Sequence, residues 1–240
     1  MITWLRLDSP FPPLESALDD PNGLLAAGGD LSPDRILAAY RRGIFPWFGA
    51  GQPILWWSPD PRMVLYCAEF RVSRSLHKRI KRHEFDVRID TAFGDVIENC
   101  ATTLRTGQSG TWITPAVIDA YSKLHDAGFA HSVEAWREGE LVGGLYGIVL
   151  DRVFFGESMF THETDASKVA TDASKVALAG LVTTLTRLGV PLIDCQQETT
   201  HLASFGARPI SRRVFAAHLS ELIHSTTAPV GWDRGPLIES

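Results

Sequence analysis

Between His131 and Phe160 three strand-like runs follow one another almost without interruption: His131 to Trp136, Leu141 to Leu150 and Val153 to Phe160, parted only by a Glu138-Gly139 turn and a turn near Asp151. Connections this short join neighbouring strands in antiparallel fashion, since a parallel return needs a crossover of about a dozen residues or more. A three-strand meander is therefore the constraint around which the rest of the chain must fit. The preceding segments can cover it. Phe93 to Leu104 carries Phe93, Ile97, Cys100 and Leu104 at helical spacing. Thr114-Pro115 then gives an N-cap and first-turn pattern for a second helix, whose apolar positions Val117, Ile118, Tyr121 and Leu124 lead to Gly128.

Met63 to Tyr66 and Phe85 to Ile89 read as short strands on either side of a basic helical segment. After the meander, a helical stretch from about Thr164 to Leu188 leads to a strand at Pro191 to Gln196 and a last amphipathic helix at Ser211 to His224. The order predicts an α+β fold, with a mostly antiparallel sheet and one parallel insertion. It is similar to the element order of the N-acyltransferase (GNAT-like) fold. The first sixty residues differ in texture: Pro, Gly and Trp are frequent, and one helix is signalled by Ser32 as N-cap and Pro33, with Ile36, Leu37 and Tyr40 on one face. The aromatic and proline-dense run Ile54 to Arg62 places a boundary near Arg62. The expected organisation is a small N-terminal domain at 1–62, a GNAT-like domain at 63–228 and a loosely held C-terminal tail at 229–240.

With 45% apolar and 21% charged residues, a chain of 240 residues can bury a sizeable core. The longest apolar run, Leu141 to Leu150, is far short of the roughly 20 residues of a membrane span. Acids and prolines occupy the N-terminus where a signal peptide would be apolar, and Cys67, Cys100 and Cys195 lack disulfide or zinc-site spacing. A soluble protein of the reducing cytoplasm, monomeric and without a metal, is expected. Net charge of −5 gives no general attraction for polyanions. One local exception exists: Arg71 to His83 holds six Lys or Arg and no acid. As a helix it stacks Arg74, Lys78 and Arg82 on one face, with Arg79 and Lys81 beside them. Such a face suits phosphates, or is simply a solvated surface.

Chemistry is signalled where polar residues interrupt apolar strands. Glu157 stands in Gly156-Glu157-Ser158-Met159-Phe160, and Asp194 and Gln196 in Leu192-Ile193-Asp194-Cys195-Gln196. Each also reads as a buried polar group satisfying backbone partners. These segments carry a wider resemblance. Together with Pro21 to Leu25, Gly28 to Pro33, Arg42 to Phe48, Trp56 to Arg62, Thr111 to Thr114, His131 to Glu134 and Gly143 to Gly147, they resemble the leucyl/phenylalanyl-tRNA–protein transferases nearly end to end.

The resemblance implies transfer of leucine or phenylalanine from leucyl-tRNA or phenylalanyl-tRNA to the N-terminal amine of proteins beginning with Arg or Lys, which marks them for degradation by the N-end rule. The reaction is aminolysis of an ester, and no cofactor is implied. Asp194 is the expected group to orient or deprotonate the amine, with Gln196 two residues along the same strand face. Glu157 suits the cationic end of the acceptor or the aminoacyl ammonium. Leu145, Phe154, Met159 and Ile193 are the expected aminoacyl pocket, though each also fits a plain core; family members often carry Met at the position of Leu145. Trp47 and Trp112 resemble aromatics that stack on the terminal adenosine. Arg74, Lys78, Arg79, Lys81 and Arg82 become candidates for the tRNA phosphates. Two other classes compete: an acetyl-CoA-dependent acetyltransferase, disfavoured because Thr161 to Ala166 has two acids and no glycine where a pyrophosphate turn belongs, and a non-catalytic tRNA-binding module.

One feature departs from the family pattern. TDASKVA occurs at 164–170 and again at 171–177. Seven residues are nearly two helical turns, so a helix can absorb the extra copy as about 10 Å of length. Alternatively, the first copy bulges out and the second takes the family position. Thr164 and Thr171 are both competent N-caps, so local chemistry leaves both arrangements open.

Overall fold

The computed structural model describes residues 2–103, 111–162 and 172–237. In chain order its elements are β1 (Thr3–Leu5), β2 (Leu24–Gly28), α1 (Pro33–Tyr40), β3 (Phe45–Pro46), β4 (Leu55–Trp57), β5 (Arg62–Tyr66), α2 (Arg74–Lys81), β6 (Asp86–Ile89), α3 (Phe93–Thr102) and α4 (Pro115–Asp126). They continue with β7 (Ala130–Arg137), β8 (Glu140–Leu150), β9 (Val153–Thr161), α5 (Ala173–Arg187), β10 (Leu192–Gln196), α6 (Thr200–Ser204), β11 (Arg208–Ile210), α7 (Arg212–Leu222) and β12 (Gly235–Pro236). None of the described helices is long and apolar enough to cross a membrane.

The meander β7–β8–β9 forms the centre of an eight-stranded sheet of order β11-β5-β10-β9-β8-β7-β6-β12. Every neighbouring pair is antiparallel except β9 and β10, which are connected through α5. The expected α+β class, mostly antiparallel with one parallel pair, is the one observed. Strand alternation divides the core. Tyr146, Ile148, Leu150, Val153 and Phe155 face α1, α3, α4 and α7. Val133, Leu145, Val149, Phe154 and Ile193 face α5, which presents Val176, Ala177, Leu181 and Leu185.

Caps fix the helix starts. The Ser73, Thr114 and Ser211 hydroxyls accept the amides of Leu76, Val117 and Val214, each contact contributing about 1 kcal/mol. Ser32 precedes α1 in the extended conformation of an N-cap, but its side chain makes no cap bond. Its own amide is instead bound by Asp30 Oδ1 at 2.8 Å.

The N-terminal sixty residues contain a second sheet, β1-β2-β4-β3, that their composition did not reveal. Its strands are two to five residues long and include Gly28 and Pro46, too short for alternation to register. Leu25, Ile36, Tyr40 and Trp56 share one core with Tyr146, Phe155 and Phe215 of the large sheet and α7. The Trp56 indole meets Phe11 edge-on at 4.9 Å and donates to Gly28 O at 2.9 Å.

The helix α5 starts in the second copy of the repeat. The first copy, at 164–170, and most of the segment Thr161 to Ala166 lie outside the described residues. Thr161 Oγ1 accepts the Ser174 amide at 3.1 Å, and Ala173 lies so close to β8 that a Cβ at Gly143 would come within 2.6 Å of it. Asp172 pairs with Lys175 at 2.7 Å and with Arg79 of α2 at 2.8 Å.

Residues 229–237, the described part of the segment expected to be a loose tail, are tied down. Gly235 and Pro236 pair with Ile89 and Arg88, and Leu237 donates to Val87 O at 2.7 Å. Trp232 lies flat on the His131 ring, with centroids 4.1 Å apart. Two backbone pairings and an indole anchor this stretch, and neither leaves a periodic pattern in the sequence.

Candidate active site

Pairing of β9 with β10 ends at Phe155 and Asp194, and both strands are irregular at that point. Against β8, Gly156 faces Gly147 and Ser158 faces Tyr146, which leaves Glu157 as an extra residue; against β5, Asp194 faces Val64 and Gln196 faces Met63, which leaves Cys195 as another. Two bulges thus open the sheet where β9 and β10, its one parallel pair among the described strands, part. Gln196 takes φ +61°, in the left-handed region, and its side chain turns across the gap: Nε2 donates to Glu157 Oε1 at 3.1 Å.

Glu157 is held by two phenols. Tyr40 donates to Oε1 at 2.6 Å and Tyr121 to Oε2 at 3.1 Å, and the phenol oxygens are 2.7 Å apart. Burial pushes both tyrosines well above their ordinary range, with the Glu157 charge adding to it, so they remain donors. Burial also pushes the Glu157 carboxyl up to about 7, against the phenol hydrogen bonds that favour its ionised form. The carboxylate therefore changes charge near neutral pH.

Asp194 is fully buried and locked to Arg62, itself 1% exposed. Arg62 Nε donates to Oδ1 at 2.8 Å and Nη2 to Oδ2 at 2.7 Å, a bidentate fork. Oδ1 also accepts the Gln196 amide at 2.9 Å, so Asp194 sets the backbone from which the Gln196 side chain projects. The guanidinium gives its remaining contacts to Gly43 O at 3.0 Å and to the faces of Phe45 and Phe215, at 4.7 and 4.8 Å. Between these residues, Cys195 has its thiol pushed up by burial and stays protonated.

A cavity of about 380 Å³ reaches this point from both faces of the sheet. On the α5 side it is lined by Leu145, Phe154, Met159, Ile193, Leu178 and Leu181; on the other by Phe45, Pro46, Trp47 and Trp112, with Glu157 and Gln196 at the split. Its lining is mostly apolar, with a few polar groups that include Glu157, Gln196, Thr199 and His201, the pattern of a small-molecule site. The family model described as leucyl/phenylalanyl-tRNA protein transferase matches residues 64–220, and the model of that transferase's N-terminal domain matches residues 29–60. The chain belongs to the leucyl/phenylalanyl-tRNA protein transferase family.

Two curated relatives carrying the name of that transferase are similar over nearly their whole length. The one from Bordetella bronchiseptica is 55% identical over 245 residues, 98% of this chain and 92% of its own. The one from Nitrosomonas europaea is 57% identical over 222 residues, 92% of this chain and 91% of its own. Among solved structures, L-PGS from Bacillus licheniformis aligns with 70% of this chain and 51% of its own, at 13% identity and a TM-score of 0.39.

All four residues expected as an aminoacyl pocket in this leucyl/phenylalanyl-tRNA protein transferase family member line the one cavity, and Trp47 and Trp112 line its other end. Trp47 meets Trp57 edge-on at 5.6 Å, and Trp57 donates to Trp47 O at 2.7 Å. The three polar candidates also converge, but not as three free groups on one strand face: the bulge at Cys195 breaks the alternation, and Asp194 is sealed. Of the basic residues, Arg74, Lys78, Lys81 and Arg82 are exposed on or beside α2, which packs on α5. Arg79 turns inward, its guanidinium engaged by Glu84 at 2.9 Å and by Asp172. Sequence reasoning missed Tyr40, Tyr121 and Arg62. The tyrosines sat at apolar helix positions; the available signal was a hydroxyl on a core face, which needs a buried partner.

Proposed function

We propose that this transferase moves leucine or phenylalanine from its tRNA to the N-terminal α-amine of proteins that begin with Arg or Lys, working as a monomer in the cytoplasm. Residues 1–62 would then form a domain that contributes Tyr40 and Trp47, and 63–228 the acyl-transfer domain. The observation that carries the reading is the meeting of Glu157 and Gln196, 3.1 Å apart, in the wall of a mostly apolar cavity.

The donor side chain occupies the end lined by Leu145, Phe154, Met159 and Ile193, while the terminal adenosine stacks between Trp47 and Trp112. Phosphates of the acceptor stem meet Arg74, Lys78, Lys81 and Arg82. Glu157 holds the acceptor ammonium and takes its proton, a role suited to a carboxyl titrating near 7. The freed nitrogen pair attacks the aminoacyl carbonyl carbon, and the new C–N bond forms as the carbonyl electrons move onto oxygen. Collapse of that centre breaks the ester C–O bond: the nitrogen gives up its second proton to the departing ribose 3′ oxygen, and Glu157 releases the first to solvent. Gln196 orients the reacting groups by hydrogen bonds. Asp194 and Arg62 hold Gln196 in place and do not exchange protons with substrate.

The test is a transfer assay with leucyl-tRNA, an Arg-starting peptide and, separately, acetyl-CoA as donor. Peptide extended by leucine, with no acetylation, is expected. Acetylation, or tRNA binding without transfer, would replace the reading with one of its two competitors.

A further inference from the structure

One lining residue of the cavity, Phe154, is backed by residues that do not line it themselves. Phe154 lies with its ring over β8: a Cβ at Gly147 would stand 2.5 Å from the ring Cζ, so only glycine leaves room for the phenyl there. Directly opposite Gly147, on β7, is His131. Its ring is fixed by Asp90 Oδ2 at 2.7 Å and Gly128 O at 3.1 Å. Trp232, from the C-terminal segment, stacks on this imidazole and extends to Phe154, with centroids 6.3 Å apart and planes 25° from parallel.

The indole is clamped from both sides in sequence. Arg187, at the end of α5, donates to Gly231 O at 3.5 Å and faces Asp233 at 3.7 Å. Arg234 contacts His125 Nε2 at 3.0 Å, and β12 then joins β6. The indole N–H is buried without a hydrogen-bond partner among the described residues, which costs about 1–3 kcal/mol. Packing and the clamps hold the ring there against that cost.

We propose that Trp232 is a positioning residue for donor selection: by backing Phe154 against β8 it sets the depth of the cavity, and so the ranking of phenylalanyl over leucyl donors. This rests on the reading of the cavity as the aminoacyl pocket. Without the indole, Phe154 can retreat and the cavity deepens, which favours the longer donor. The experiment compares kcat/KM for phenylalanyl-tRNA and leucyl-tRNA, with an Arg-starting peptide, in Trp232→Ala, Trp232→Phe and Phe154→Leu, beside the melting temperature of each. Trp232→Ala should raise the phenylalanyl-to-leucyl ratio about tenfold or more, the scale on which a change of about one methylene in pocket depth discriminates substrates. Trp232→Phe should shift it less, in the same direction, and it carries the test if the alanine variant does not fold. A ratio that shifts in Phe154→Leu and stays constant in both Trp232 variants overturns the proposal and leaves the pocket reading intact. A ratio constant in all three overturns both.

Discussion

Two carboxylates reach the split between β9 and β10, and the chain treats them in opposite ways. Asp194 receives a cation: the Arg62 fork satisfies both oxygens inside the core, and three further contacts fix the guanidinium. Among the described residues Glu157 receives neutral donors only, two phenols and an amide, and burial pushes it up to about 7. The fork occupies both oxygens of Asp194, whereas Glu157, with its value raised to about 7, is able to change charge at working pH. Gln196 joins the two, its amide bound by one carboxylate and its side chain bound to the other. The arrangement separates a fixed strut from a movable proton.

The largest effect should come from breaking the strut. Arg62→Met keeps bulk between Phe45 and Phe215 but leaves Asp194 buried and unpaired, and loss of one partner from a buried pair costs about 3–5 kcal/mol. Urea denaturation should show this loss, and adding Asp194→Asn should restore much of it, because no buried charge remains. If the double variant also regains transfer, the strut is not needed to aim Gln196.

How far this contrast could be read from the chain depends on the range of the forces involved. The meander was legible because the Glu138-Gly139 turn and the alternation are local. Glu157, Asp194 and Gln196 were legible as polar interruptions of apolar strands. Their division of labour was not, since it depends on Arg62 lying 132 positions from Asp194 and Tyr40 lying 117 from Glu157. The bulges at Glu157 and Cys195 were hidden too: each is a mismatch between two strands, and neither strand shows it alone. In the small sheet, strands as short as Phe45–Pro46 fell below any periodic signal.

The movable proton can be removed directly. Glu157→Gln keeps the size of the side chain and should lower kcat about 100-fold, within the range for loss of a general base. The pH dependence should change as well. In the parent, kcat/KM rises through an inflection near 7 from Glu157, below that of the acceptor amine at about 8; the variant should keep only the latter. Stability gives an independent check. A folded-state value raised from 4.5 to about 7 means the native protein holds an extra proton between those limits, so its stability falls as pH rises through that window. Glutamine abolishes the fall, and unfolding at pH 8 compared with pH 5 should favour the variant by about 1–2 kcal/mol, after allowance for solvent screening. Parallel curves for the two proteins would mean that Glu157 ionises freely.

The smallest effect separates the two phenols. Each stabilises the carboxylate, so deleting either hydroxyl should raise the Glu157 value further. Tyr40, at 2.6 Å, should matter more than Tyr121, at 3.1 Å. Tyr40→Phe should move the lower inflection of kcat/KM upward by roughly one unit, the scale of a single charge-assisted hydrogen bond at about 1.4 kcal/mol per unit, and Tyr121→Phe by less. The two hydroxyl oxygens also lie 2.7 Å apart, and groups in direct contact do not add, so the shift in the double variant should differ from the sum of the singles. An unmoved inflection in Tyr40→Phe would detach the titration from Glu157 and assign it to the acceptor amine, which would turn the contrast between the carboxylates into one of geometry alone.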